Sequence, residues 1–161
     1  LWILGSNSFI GKYIESLFNY NLSFTWIATV FAAAIVSFPL VVRSFIVAFQ
    51  SVDPELEKCA RGLGANNLKI FISITLPLSL KGIMAGLLLG FGRAFSEFGA
   101  TIVVAGNIPG ETSTIPLAIY TNIIVGDPGS ATRLIIISIV IAIITLGIHN
   151  NLSRFGSYRK A

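Results

Sequence analysis

Three long apolar stretches, separated by shorter polar ones, organise this chain. From Trp26 to about Phe49 the residues are almost purely apolar, interrupted by Pro39 and then Arg43. At 1.5 Å of rise per residue, Trp26 to Val42 covers about 25 Å, and continuation past Arg43 completes a bilayer crossing. Trp26 suits one membrane interface and Arg43 can snorkel to the other, while Pro39 predicts a kink that neighbouring helices tolerate. A second span is predicted over 80–104. Small residues recur in it at every fourth position, Gly82, Gly86, Gly90 and Ala94, and so share one helical face. Such a face lets another backbone approach closely. It serves either packing within a bundle or a surface that slides and tilts. A third span, 132–152, opens on Thr132 and Arg133 and carries isoleucines all around, so part of it faces lipid.

Between the first two spans, segment 51–78 predicts two short helices. Asp53-Pro54 is a helix start: Asp caps free backbone N–H groups and Pro suits the first helical position. Leu56, Ala60 and Leu63 then form one apolar stripe, and Gly62 and Gly64 end the helix. A second helix starts near Asn66 and carries Leu68, Phe71 and Ile72 toward Pro77. As pattern alone, this helix–turn–helix is either a connector resting on the bilayer surface or a docking element for a partner. Segment 106–128 is rich in Gly, Pro, Thr and Asn. It predicts one short amphipathic helix, Ile115 to Ile124, with Pro116 in its first turn, partly embedded at the membrane face.

Composition agrees with the pattern. Of the 161 residues, 54% are apolar and 11% charged, against about 25% charged in soluble domains, and the mean hydropathy is strongly positive. Lipid must cover part of this surface, so the chain is expected to be an all-α integral membrane protein. It begins without methionine on Leu1-Trp2-Ile3-Leu4-Gly5, which reads as the tail of a hydrophobic helix, and a fragment lacking its first helices is expected. No signal-peptide pattern is present.

The net charge is +4, and its distribution sets an orientation. Arg43, Lys58, Arg61, Lys69, Lys81, Arg154, Arg159 and Lys160 fall on one side of a three-span arrangement, Lys12 and Arg133 on the other, with Arg93 inside a span. The positive-inside rule then places 51–78 and the C-terminus in the cytoplasm, and 6–25 and 106–128 outside. A single cysteine, Cys59, excludes an intrachain disulfide and a multi-cysteine metal cluster. His149, near the end of the third span, has no partner cluster, and no metal site is expected. With no Gly-x4-Gly-Lys-Ser/Thr segment, the chain lacks a cradle for nucleotide phosphates. An intramembrane enzyme would need paired catalytic polar groups inside spans, where only Arg93 and Glu97 are deeply placed.

The run Lys58-Cys59-Ala60-Arg61-Gly62-Leu63-Gly64, followed by Ile74-Thr75-Leu76-Pro77, resembles the cytoplasmic "EAA" loop of ABC importer permeases. That resemblance implies a type I importer helical bundle docked on a separate ATPase. The docking residues would be Glu57, Lys58, Cys59, Ala60, Leu63, Gly64, Ile74, Leu76 and Pro77. The chain itself would carry no cofactor, ATP and Mg being bound by the ATPase. Lys58 stands where the family often has Glu, and Cys59 replaces the first Ala; Glu57, immediately before, is placed to serve the acidic role.

A second set, Ser96-Glu97-Phe98-Gly99-Ala100-Thr101, Gly106-Asn107-Ile108-Pro109-Gly110-Glu111-Thr112, Thr114-Ile115-Pro116 and Tyr120, is similar to permeases of molybdate ABC importers, whose relatives carry tungstate and sulfate. This resemblance implies a homodimer in the bacterial plasma membrane, working with a cytoplasmic ATPase dimer and an extracytoplasmic oxyanion-binding protein, and no nucleic acid. A tungstate or sulfate permease, or a nonfunctional truncated one, are the alternatives. Arg93 and Glu97 lie one helical turn apart. They form either a mutually neutralising pair or, with Ser96 and Gly99, part of a translocation path and gate. Glu111 and Asp127 are outward loop charges, solvated or facing the binding protein.

Overall fold

The computed structural model describes residues 24–157. The expectations on Leu1–Gly5, Lys12, Arg159 and Lys160 lie outside the described residues, as does the side chain of Arg154. Every regular element among the described residues is helical: α1 Trp26–Gln50, α2 Pro54–Gly62, α3 Asn67–Ile70, a π-helical turn Phe71–Thr75, α4 Leu76–Phe95, α5 Gly99–Val104, α6 Ile115–Val125 and α7 Pro128–Ser157. Three stretches are long and apolar enough to cross a membrane: Trp26–Gln50, Asn67–Phe95 and Pro128–Ser153. Two compact units divide the described chain, residues 24–37 with 92–142, and residues 38–91 with 143–157.

In the second of these units, the glycine face of α4 lies directly against α1. A Cβ on Gly82 would stand 2.7 Å from Cβ of Ala48, and one on Gly86 would stand 2.7 Å from Cβ of Ser44. One on Gly90 would overlap Cγ2 of Val41. The four-residue recurrence therefore builds a close helix–helix contact. Ser44 fits it because its hydroxyl donates back to the Leu40 carbonyl of its own helix at 2.8 Å. Ala94, the fourth small residue of the series, is half-buried.

The expected second span, 80–104, is not one helix. Helix begins at Asn67 and runs to Phe95, and a separate short helix, α5, follows a break. The 29 residues of Asn67–Phe95 extend about 43 Å, against about 30 Å of bilayer hydrocarbon. The helix is therefore longer than the apolar layer is thick, and Lys81 lies inside it rather than at its start. Nor does the chain turn at Pro77. A proline inside an α-helix clashes with the carbonyl four residues back, here that of Ser73. The π-helical turn just before it widens the helix, and the Leu76 N–H donates to the Phe71 carbonyl, five residues back. The helix thus passes through Pro77 without stopping.

His149 lies inside α7, and its Nδ1 is 3.1 Å from the carbonyl oxygen of Ala85 in α4. Among the described residues no group of three or more His, Cys, Asp or Glu is placed to hold a metal ion.

In the other unit, the loop after α5 is fastened by its own side chains. Gly106 takes φ +71°, and the Phe24 ring stands 3.1 Å from where its Cβ would be, so both the backbone and the ring disfavour a side chain here. The Asn107 amide donates to Thr121 Oγ1 at 2.6 Å, tying the loop to α6. The Ile108 N–H donates to the buried Thr112 hydroxyl at 2.9 Å. Helix α6 is apolar on nearly all sides rather than amphipathic. Leu117 is buried while Ile123, Ile124 and Val125 are exposed, and Thr121 and Asn122 bond back to the helix carbonyls of Leu117 and Ala118. Asp127 caps α7, accepting from the Ser130 N–H at 3.0 Å. Its carboxyl is held below the usual carboxylate range by hydrogen bonding from the Ser130 side chain and then its N–H, with the Arg133 charge adding to this.

Candidate functional site

The docking candidates converge on a hairpin whose geometry follows from its caps. Asp53 Oδ1 accepts from the Glu55 N–H at 2.9 Å, and Pro54 opens α2. Its end is a Schellman arrangement. Gly64 adopts φ +84°, its N–H reaches the Arg61 carbonyl, and the Ala65 N–H reaches back to Ala60 at 3.1 Å. Gly62, the last helical residue, needs no special conformation; the left-handed one falls on Gly64, the glycine of the motif. Two residues on, Asn66 Oδ1 accepts from the Lys69 N–H at 2.8 Å and starts α3.

No residue of α2 is buried. Leu63 is 89% exposed at the tip, and Leu68 and Leu56 are exposed beside it. Apolar side chains held outward by a capped, fixed turn form a surface suited to a partner. Lys58 pairs with Glu55 at 2.7 Å, both largely in solvent, where an ion pair contributes little. Cys59 is a free, exposed thiol, and Ala60 is half-buried. Glu57 behaves differently from its neighbours: its carboxylate accepts from the Thr75 hydroxyl at 2.6 Å. Of the remaining docking candidates, Ile74 and Leu76 are half-buried and Pro77 is exposed. Ile74 belongs to the π-helical turn, while Leu76 and Pro77 open α4. The hairpin and the start of the span are therefore continuous.

The path candidates form a second constellation in the other unit. Helix α4 ends at Phe95, and Ser96 Oγ donates to the Arg93 carbonyl at 3.1 Å, satisfying one of the last carbonyls. Glu97 is buried and uses both oxygens. One receives Arg93 Nη1 at 2.9 Å, and the other accepts the Ala100 N–H at 2.8 Å, an orphan donor of the first turn of α5. The Arg93 side chain is 43% exposed. The carboxylate thus joins two helix ends across the break and holds the guanidinium. Gly99 opens α5, and a Cβ added to it would meet only that carboxylate, at 3.9 Å. Just before it, Phe98 packs edge-on against Tyr120 of α6 at 5.3 Å between ring centres. Spacing alone predicts the Arg93–Glu97 contact; the second bond to Ala100 depends on the helix ending at Phe95.

Residues 1–155 match the family described as the inner membrane component of binding-protein-dependent transport systems. The chain belongs to that family. It is 47% identical over 157 residues to the molybdenum transport system permease protein ModB of Escherichia coli K12, covering 97% of this chain and 69% of that protein. The corresponding protein of Haemophilus influenzae is 45% identical over 154 residues, covering 94% of this chain and 66% of its own length. The sulfate transport system permease protein CysT of Salmonella typhimurium is 33% identical over 151 residues, covering 93% and 54%. The chain spans about two thirds of the length of these molybdenum relatives. An all-α membrane permease is what the helices and the family together describe.

Proposed function

We propose that this chain is the membrane subunit of an ATP-driven importer carrying molybdate across the bacterial plasma membrane. The observation that carries the cargo is the 45% and 47% identity to two molybdenum permeases along almost all of this chain. The permease works as a homodimer with two ATPase subunits, which bind ATP and Mg, and takes its oxyanion from an extracytoplasmic binding protein. Hairpin α2–α3 lies in the cytoplasm, as the basic residues Arg43, Lys58, Arg61 and Lys69 favour, and docks on the ATPase through Leu63 and its neighbours. Closure of the ATPase dimer displaces the hairpin. Because α3, the π-helical turn and α4 are one continuous helix, that displacement reaches the membrane span. Arg93 and Glu97, with Ser96 and Gly99 at the helix break, form the gate segment, where an exposed guanidinium suits a divalent oxyanion.

Vesicles containing the permease, an ATPase subunit and an oxyanion-binding protein test this reading with radiolabelled molybdate. ATP-dependent accumulation is expected, suppressed by excess tungstate, which has nearly the same size and charge, and little affected by equal sulfate. Accumulation of sulfate with none of molybdate would assign the chain to the sulfate branch instead.

A further inference from the structure

The ABC permease pattern invites reading the acidic residue of the docking helix as a contact to the ATPase. In this chain Glu57 is already engaged internally. Its carboxylate accepts from Thr75 Oγ1 at 2.6 Å, across 18 residues of sequence. Thr75 is 8% exposed and is the last residue of the π-helical turn. A helical threonine ordinarily returns its hydroxyl to a carbonyl of the preceding turn; here the hydroxyl is directed to another helix. The turn it belongs to is anchored on the membrane side. Phe71 at its start packs against Phe49 of α1, with ring centres 5.9 Å apart, and Ile70 just before it is buried. Beyond Pro77, α4 is pressed onto α1 along Gly82, Gly86 and Gly90. Helix α2, by contrast, buries no residue of its own.

These facts distribute the roles along α2 and the turn that ends it. Lys58 and the turn residue Leu63 face solvent, while Glu57 reaches back to the span. We infer that Glu57 is a positioning residue, the strut that makes α2 and the start of α4 move together, and that it does not contact the ATPase. The inference rests on the docking role proposed for the hairpin. Apolar contact at Leu63 holds the ATPase, and the Glu57–Thr75 bond transmits its displacement into the π-helical turn. Without the strut, α2 follows the ATPase while α4 lags, and ATP is hydrolysed without transport.

Thr75→Val removes the hydroxyl at nearly constant volume, Thr75→Ser keeps it, Glu57→Gln keeps a neutral acceptor and Glu57→Leu keeps none. In the assembled complex, the readouts are ATPase co-purification and molybdate transported per ATP hydrolysed. All four variants are expected to retain the ATPase at the wild-type ratio. Thr75→Val and Glu57→Leu should lower molybdate per ATP about tenfold, the factor expected for a lost hydrogen bond to a charged group. Glu57→Gln should fall between, Thr75→Ser should match wild type, and the double variant should be no worse than either single one. Loss of the ATPase from Glu57→Leu, with full coupling in Thr75→Val, would overturn the strut and return Glu57 to the ATPase interface. Additive losses in the double variant would also overturn it. Should Glu57→Leu fail to fold, the Val and Ser pair at Thr75 decides alone. Failure of the docking reading itself shows differently, as retention of the ATPase when Leu63 is made charged.

Discussion

Gly86→Ala lowers the melting temperature of the permease, whereas Gly92→Ala, six residues along the same helix, leaves it unchanged or raises it. Intrinsic propensity alone makes both substitutions favourable, since Ala exceeds Gly in a helix interior by about 1 kcal/mol. The two positions differ in what the new methyl meets. At Gly92 nothing lies within 4 Å, whereas at Gly86 the Cβ of Ser44 lies at 2.7 Å and the Phe45 ring at 3.4 Å. Atoms on two stiff helices cannot yield by that much without separating, and overpacking of this kind costs about 1–3 kcal/mol. Gly86→Leu adds three more carbons to the same contact and should remove the folded protein from the membrane. Thermal unfolding in detergent reads both. Equal shifts for Gly86→Ala and Gly92→Ala would show that the glycine face is not in close contact.

Exchanging Arg93 and Glu97 does not restore transport lost by changing either one. An ion pair alone would survive the swap, because opposite charges would still stand one turn apart. Glu97, however, also accepts the Ala100 N–H, and an arginine side chain has no acceptor to offer. Loss of a capping acceptor costs about 1 kcal/mol, and an unpaired charge in a membrane segment costs more. Uptake should fall at least about tenfold in Arg93→Leu, Glu97→Leu and the swapped variant. Glu97→Gln, which keeps an acceptor but no charge, should retain more activity than Glu97→Leu. Wild-type uptake from the swap would reduce the role of Glu97 to charge neutralisation, and wild-type uptake from Arg93→Leu would remove Arg93 from the path.

Much of this architecture is local and hence legible in the residues. Asp53, Pro54 and Asn66 announce helix starts, because capping needs only a side chain and the amides two or three residues on. Gly64 marks the end of α2 because the Schellman turn requires a left-handed residue there. The glycine face follows from a four-residue period, and the Arg93–Glu97 pair from one helical turn.

The rest depends on contacts that leave no periodic trace. The expected cytoplasmic segment 51–78 closes just after Pro77, yet a π-helical turn precedes the proline and the helix continues through it. That continuity moves the second span from 80–104 to Asn67–Phe95 and places the break at Ser96. Once the helix ends there, Glu97 becomes a cap for α5 as well as a charge partner. The bonds of Glu57 to Thr75 and of His149 to Ala85 join residues 18 and 64 apart. They depend on which helix faces are brought together, which spacing along the chain does not show. The Asn107 to Thr112 run carries part of the resemblance to molybdate permeases. Its observed bonds are those of a fastened loop, with Asn107 on Thr121 and Thr112 on the Ile108 N–H.

The proposed coupling of transport to ATP requires that the ATPase attach at hairpin α2–α3. Co-purification of the ATPase with the permease, for wild type and for Leu63→Asp, measures this directly. Leu63 is 89% exposed, so the charge disturbs no core, and the variant should reach the membrane with an unchanged melting temperature. Wild type is expected to retain the ATPase and Leu63→Asp to lose it. An ATPase retained by Leu63→Asp at the wild-type ratio would contradict docking at this hairpin.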